Sequence, residues 1–362
     1  MNGVIIIDKP AGWTSHDVVN RLRRILGQRS VGHLGTLDPL ATGVLPLVIG
    51  SLTRLAQFYT TSEKTYEGVI RFGFATNTYD ADGEPVEVNV GTAALGCPEG
   101  QRPDLSLETL QKLTARFQGP IEQVPPPFSA KKVHGVPAYK LARKQKEVVL
   151  KPVQVEIKEF SIFSVEGDCA RFRARVSSGT YMRSLAHEMG QLVGCGAHLE
   201  SLRRTAVAEF EFTQAHTLEA IERHIEEQRH KQRHKEERGR DRRSGAETAA
   251  SIKPSHSEAA PEPGHSEPCH TEAAPAAEEP AVPSHEALAA LFIHPRQLLP
   301  QLPSVTADEP TAARIRTGRP VNLPEHSRAR QVKVFQGQNE LIAIATRVAG
   351  TLFHPKIVFP PE

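Results

Sequence analysis

Apolar positions along the first 222 residues switch between two periods. Val4–Ile7 is a continuous apolar run, the pattern of a buried strand. Ser15 offers a helix N-cap, Val18, Val19, Leu22, Ile25 and Leu26 then recur at helical spacing, and Gly27 supplies a left-handed stop. A second helix is predicted behind Ser106, with Leu107, Leu110, Leu113 and Phe117 on one side. From Cys169 to Ser177 the period is two: Ala170, Phe172, Ala174 and Val176 share one face, and Arg171, Arg173 and Arg175 the other. Val153, Val155 and Ile157 read the same way. Strands and helices mix without regular βαβ alternation. This predicts an α+β fold with a largely antiparallel central sheet flanked by helices.

The pattern then fails. Residues 222–243 are a mixed-charge run, ERHIEEQRHKQRHKEERGRDRR, and 244–283 are rich in Ala, Pro, Glu, Ser and His with almost no large apolar side chains. Such a stretch cannot bury enough surface to offset its ordering entropy. Its histidines follow no metal-ligand spacing. Periodicity resumes near Leu288 with a short apolar helix (Leu288, Leu291, Phe292). Strand patterns follow at Gln331–Phe335, Leu341–Val348 and Lys356–Phe359. The expected organisation is a compact body over residues 1–225, a disordered low-complexity insertion over 226–284, the end of the body over 285–303, and a small β-rich module over 304–362.

Charge adds one point. The net charge is +2 over 362 residues, but residues 222–286 carry ten Lys/Arg against fourteen Asp/Glu, a net −4 that leaves +6 for the remainder. On charge alone a modestly basic body fits a nucleic-acid partner and an ordinary solvated surface equally well. The four cysteines (Cys97, Cys169, Cys195 and Cys269) form no C-x-x-C pair. Neither a zinc knuckle nor a disulfide framework is indicated, and a reducing compartment is expected. The apolar run in MNGVIIIDKP is short and broken by Asp8, so no signal peptide is expected. No run approaches the ~20 apolar residues of a membrane span. A cytoplasmic location is expected.

The chain lacks a G-x-x-x-x-G-K-[ST] phosphate loop and a G-x-S-x-G elbow. His187-Glu188 begins like a zinc-protease motif, but position 191 is Gln. The unusual segment is GHLGTLDPLATGVLPLVIG, Gly32–Gly50. Asp38 precedes Pro39 and is pushed to extended geometry. A bare Asp-Pro reads as an Asx-turn. Here Gly32, Gly35 and Gly43 permit close backbone approach, and Val44, Leu45, Leu47, Val48 and Ile49 anchor the loop in a core. A carboxylate on a tight, anchored loop suits chemistry.

HLGTLDPLATG resembles the signature of the TruB family of tRNA pseudouridine synthases. NGVIIIDKPAGWTSHDVV, KTYEGVIRFGFATNTYDADG, FQGPIEQVPPPFSAKKVHGVPAYKLAR, SSGTYMRSLAHEMG and GCGAHLESLRRTAV resemble further family motifs in the family's order. The carboxy-terminal region more weakly resembles the PUA-like RNA-binding module of such enzymes. The resemblance implies the pseudouridine synthase fold and isomerisation of uridine-55, in the T arm of tRNA, to pseudouridine. It implies no cofactor and no metal. The implied partner is the tRNA T-arm stem-loop, bound by a monomer with no obligate protein partner and no membrane.

Residue by residue, the resemblance implies that Asp38 is the catalytic carboxylate, acting at ribose C1′, at uracil C6 or in glycal formation. Arg183 pairs with it. Tyr66 stacks on the flipped base. His33 fills the space the base vacates, Leu202 forms a pocket wall, and Tyr181 stands behind them. Lys9, Lys131, Lys132 and the arginine-bearing strand are expected to contact phosphates. The chain departs from the family pattern at Asn77, where an acid is common, at Phe128, where a tyrosine is common, and at KQKEV in the RNA-gripping loop. Two rival readings are a catalytically idle tRNA-binding or folding factor, and the guide-RNA-dependent branch of these synthases. Asp38, Tyr66 and Arg183 together argue against the first, and the insert around Val124–Val149 against the second.

Overall fold

The structure, a computed structural model, describes residues 1–86, 105–129, 131–133, 135–142, 144, 150–250, 288–326 and 328–361. Strand β1 (Gly3–Lys9) leads to helix α1 (Ser15–Leu26), β2 (Val31–His33) and β3 (Thr42–Ile49). After the short helix α2 (Ala56–Tyr59) come β4 (Lys64–Phe72) and a small ribbon of β5 (Ala75–Thr76) and β6 (Pro85–Val86). Helix α3 (Leu107–Thr114) precedes β7 (Gly119–Gln123). A second ribbon, β8 (Lys132–Val133) and β9 (Val136–Pro137), leads to α4 (Ala138–Ala142). The hairpin β10 (Val153–Glu166) and β11 (Cys169–Val176), helix α5 (Met182–Val193), β12 (Ala197–Val207) and β13 (Phe210–Glu211) complete the body.

The main sheet runs β1-β3-β12-β4-β11-β10-β7, with β2 added to β3 and β13 to β12. All its pairings are antiparallel except β3 with β12. This is the α+β arrangement expected from the mixed periods. Ala170, Phe172, Ala174 and Val176 of β11 are buried, as the alternation predicts. The same face of β4 carries Tyr66, Ile70 and Phe72, while α3 packs on β10 and α5 on β12. The exposed face is charged, and neighbouring strands neutralise each other. Arg173 pairs with Glu67, Arg175 and Lys158 with Glu63, Arg171 with Glu166, and Arg71 with both Asp168 and Glu200. The arginine-bearing strand is therefore not a free basic face. Its cations meet Glu67 of β4, Glu63 just before β4 and Glu166 of β10, pairings that one strand's pattern cannot reveal.

Gly27 caps α1 in the left-handed region, as expected. The N-cap is Thr14 rather than Ser15: Thr14 and Asp17 form a reciprocal capping box, and Ser15 is occupied elsewhere. Ser106 caps α3 as predicted.

The carboxy-terminal strands β14 (Ser304–Ala307), β15 (Val321–Asn322), β16 (Gln331–Gln336), β17 (Glu340–Ala349) and β18 (Leu352–Val358) form a second sheet, ordered β14-β16-β17-β18-β15. Val4, Ile6, Val44 and Val48 share one continuous core with Leu298, Phe335, Ile344, Ile357 and Phe359. The outer edge of β1 is covered, since the backbone of Asp8 and His216 and of Ile293 and Val4 is bonded.

Residues 219–290 form a separate unit. Its described part is mostly the helix α6, Leu218–Ala250. This corrects the expectation of a structureless insertion from residue 226. Glu, Gln, Lys and Arg are strong helix formers, and pairs such as Glu227 and Lys231 stand one turn apart, so a segment with no apolar face still winds into a helix. Residues 251–284 lie outside the described residues. No described helix is long and apolar enough to cross a membrane.

Two glycines separate strain from mere location. At Gly43, φ is 98° and an added Cβ would lie 2.2 Å from the carbonyl oxygen of Arg204. At Gly167, in the two-residue β10–β11 turn, φ is 62° and nothing lies within 4 Å. Gly43→Ala should therefore destabilise by about 3 kcal/mol or more, and Gly167→Ala by roughly 1 kcal/mol. Paired thermal and urea melts check the ranking.

Candidate active site

Residues 34–41, between β2 and β3, carry Asp38, and buried groups grip this loop by its backbone. Arg204 on β12 is 0% exposed. Its Nε donates to the carbonyl of Val44 at 2.8 Å, Nη1 to Thr36 at 3.1 Å and Nη2 to Gly35 at 3.0 Å. Lys9 at the end of β1 is likewise 0% exposed, and its Nζ donates to the carbonyls of Pro10, Trp13 and Pro39 at 2.8, 2.6 and 3.2 Å. Burial pushes the Lys9 ammonium down to about 8, with Asp38 opposing and Arg204 reinforcing that shift. Ser15 Oγ accepts from the Leu37 N–H at 2.8 Å and donates to its carbonyl at 3.1 Å. The Gly12 N–H donates to Pro39 O at 2.9 Å. The bare backbone of Gly43 lets β3 and β12 approach closely enough for Arg204 to reach in.

Against this loop stands Arg183, on the first turn of α5. Its Nε is 2.9 Å from Asp38 Oδ2, and its Nη1 is 3.3 Å from Asp80 Oδ2. The Nε–H is not aligned for a hydrogen bond, so the Asp38 contact is chiefly Coulombic. Nη1 and Nη2 also donate to the carbonyls of Thr78 and Phe128 at 3.2 and 3.1 Å. The Arg183 side chain is 7% exposed and that of Asp38 is 41%, so the carboxylate opens to solvent while its partner stays within the protein. Asp80 is buried and accepts from the Thr78 hydroxyl at 2.5 Å. Burial raises its pKa, while the Thr78 bond and Arg183 oppose the rise. Helix α5 is held from β7. The Gln123 side chain donates to the Tyr181 carbonyl at 3.1 Å and accepts from its N–H at 2.8 Å, and the Ser184 hydroxyl donates to Val124 O at 2.7 Å.

Asp38 and Arg183 are thus brought together as expected. Tyr66, buried on β4, lies opposite Arg204 of β12, on the sheet face that turns to the loop. Leu202 is buried on the same β12. His33 ends β2, and its Nδ1 accepts from the Gly35 N–H at 3.3 Å. Burial lowers its pKa, and Arg204 and His16 add to that. Tyr181 is the residue before α5, and burial raises its pKa. Lys131 is exposed, and Lys132 lies in β8.

Lys9 does not fit its expected role. With no exposed surface and its ammonium committed to backbone carbonyls, it cannot reach a phosphate, and it positions the loop instead. The residues missed are Asp80, Gln123 and Arg204. Asp80 stands in NTYDADG and Arg204 in LESLRRTAV, both quoted as motifs, but only tertiary contacts reveal what they hold. Phe128 serves through its carbonyl, so exchanging a tyrosine there leaves the Arg183 contact intact. Among the described residues no three His, Cys, Asp or Glu side chains gather to hold a metal ion.

Because Arg204 is wholly buried and its guanidinium bonds three backbone carbonyls, Arg204→Met should destabilise by about 3–5 kcal/mol. Stability and turnover should fall together. Urea unfolding beside an activity assay checks this, and an unchanged midpoint would contradict it.

The chain is similar to known proteins along its length. Residues 23–182 match the model for the TruB family pseudouridylate synthase N-terminal domain, and 183–249 the tRNA pseudouridylate synthase B C-terminal domain, a match that runs on into α6. The chain is 43% identical over 361 residues to tRNA pseudouridine synthase B of Solibacter usitatus (strain Ellin6076), covering 99% of this chain and 100% of the relative. It is 44% identical over 222 residues to the protein of the same name in Opitutus terrae (strain DSM 11246 / JCM 15787 / PB90-1), covering 61% of this chain and 88% of the relative. In fold it is similar to a chain of an H/ACA ribonucleoprotein bound to a substrate RNA containing 2'-deoxyuridine, with a TM-score of 0.59, 20% identity, and coverage of 99% of this chain and 85% of that one. A chain of an archaeal box H/ACA small ribonucleoprotein complex gives a TM-score of 0.57 at 21% identity, covering 99% and 86%. Identity of this order along essentially the full length of both proteins does not arise by chance, and the chain belongs to the TruB family of pseudouridylate synthases.

Proposed function

We propose that this protein isomerises uridine-55 in the T arm of tRNA to pseudouridine, as a stand-alone cytoplasmic monomer, with Asp38 as the catalytic carboxylate. The observation that carries the reading is the Asp38–Arg183 ion pair, 2.9 Å, on a loop whose backbone is bonded to buried groups. A carboxylate fixed in this way keeps its aim while its solvent-facing side stays open to a substrate.

In this reading the target uridine leaves the stack and enters the space between loop 34–41 and β4. Tyr66 stacks on the flipped base, Leu202 lines the wall behind it, and His33 fills the gap left in the RNA. Tyr181 backs the site beside Arg183. Asp38 promotes cleavage of the bond between ribose C1′ and uracil N1. The uracil turns, C5 bonds to C1′, the C5 proton leaves and N1 gains one, so the product is an isomer. Arg183 orients the carboxylate and offsets its charge. Lys131 and Lys132 approach the phosphate backbone, while the folded shape of the T loop supplies recognition.

The decisive experiment is incubation of the purified protein with an unmodified tRNA transcript, followed by mapping of pseudouridine. The expected result is one new pseudouridine, in the T loop. An unmodified transcript that is nonetheless bound would favour an idle binding factor.

Asp38→Asn preserves shape but removes charge and nucleophilicity. It should lower turnover by roughly 10³-fold or more, while RNA affinity by filter binding changes little. A variant retaining a tenth of the activity would show that Asp38 is structural. Arg183→Lys should recover only part of the activity lost in Arg183→Ala, because a point charge cannot serve two carboxylates and two carbonyls in fork geometry. Single-turnover rates of both variants measure that difference.

A further inference from the structure

The cations bordering the catalytic loop are nearly all committed. Arg183 lies between Asp38 and Asp80, Arg203 pairs with Asp8 at 2.9 Å, and Arg204 and Lys9 give their donors to backbone carbonyls. Lys64 is different. It opens β4, and its Nζ donates one hydrogen bond, to the carbonyl of Ser62 at 2.7 Å. Among the described residues no carboxylate pairs with it. The adjacent Glu63 is already bonded to Lys158 and Arg175. Two of the three ammonium protons have no acceptor among the described residues, although the side chain is half-buried. Burial, and the nearby Arg204, push its pKa down to about 8.

A cation placed beside another cation and given no counter-ion is unfavourable in the free protein, so packing alone does not explain it. Its position does. A Cβ on Gly35 would lie 3.7 Å from Lys64 Cε and 3.7 Å from Arg204 Nη1, so the lysine stem lies along the catalytic loop where that loop has no side chain. Lys64 and Tyr66 are two residues apart on one strand, hence on one face and about 7 Å apart. Tyr66 faces the loop from inside the site, and Lys64 stands at its rim.

We infer that Lys64 binds a backbone phosphate next to the target uridine, supplying the counter-charge partner of a nucleotide whose base Tyr66 receives. The inference rests on the proposed function. Lys64 acts as a point charge with spare donors, and the phosphate provides the anion that the protein itself withholds.

The test is a cycle on kcat/KM with synthetic T-arm stem-loops. One stem-loop has natural linkages, and two others carry a single uncharged methylphosphonate on the 5′ or the 3′ side of the target uridine. Lys64→Met keeps the stem and removes the charge. Because it relieves repulsion with Arg204, its melting temperature should equal or exceed that of the wild type. Expected are a roughly tenfold loss in kcat/KM at low salt, a salt slope reduced by about 1, and substantial rescue of both by Lys64→Arg. One of the two methylphosphonate RNAs should lose as much with wild-type protein and nothing further with Lys64→Met. Losses that add for both linkages, an unchanged salt slope, or a Lys64→Met variant that fails to fold would each overturn the phosphate assignment. Wild-type protein that leaves the natural stem-loop unmodified would overturn the proposed function, and this inference with it.

Discussion

The site depends on a guanidinium group that water never reaches. Arg204 lies wholly within the protein and spends its donors on the carbonyls of Gly35, Thr36 and Val44. A loop that turns away from its neighbouring strands leaves carbonyls without ladder partners, and such groups must be satisfied where water is excluded. Arg204 and Lys9 do this from opposite sides, and Ser15 fixes Leu37 between them. The loop is consequently held by its carbonyls although it has no strand geometry. The grip requires β3 and β12 to run close together, which is why no side chain is tolerated at Gly43.

The second constraint is electrostatic. Arg183 serves an exposed carboxylate and a buried one at once. Burial makes Asp80 costly to ionise, and its Thr78 bond and its share of Arg183 offset part of that cost. The arginine is thereby anchored from behind by Asp80 and by two carbonyls, and presents its remaining edge to Asp38. Gln123 pins the residue before α5, so the helix carrying Arg183 is tied to the edge strand β7 and not merely packed on the sheet.

The main sheet divides its labour by face. One face holds the core and, near the start of β4, the site. The other is a mosaic of exposed ion pairs, each contributing little to stability. The carboxy-terminal sheet shares the core that lies against β1 and β3, so the β-rich module and the body form one compact unit.

Local periodicity by itself determined much of this. The buried run of β1, the alternation of β10 and β11, the helices α1 and α3, and the strands of the last third follow from patterns that a few neighbouring residues define. Asp38 and Arg183 were legible through the motifs around them. Tertiary structure decided which polar side chain meets which. Lys9 reads as a surface cation until Pro39, thirty positions away, comes back to accept a hydrogen bond from it. Ser15 reads as a cap until Leu37 claims its hydroxyl. The arginines of β11 read as a basic stripe until β4 brings Glu67 alongside. The charged segment that continues α6 reads as structureless because it has no core to join, yet helical propensity and pairs one turn apart need no core. Hydrophobic patterning is a property of each strand or helix, whereas a polar contact depends on two segments distant in sequence, and only the folded chain specifies both.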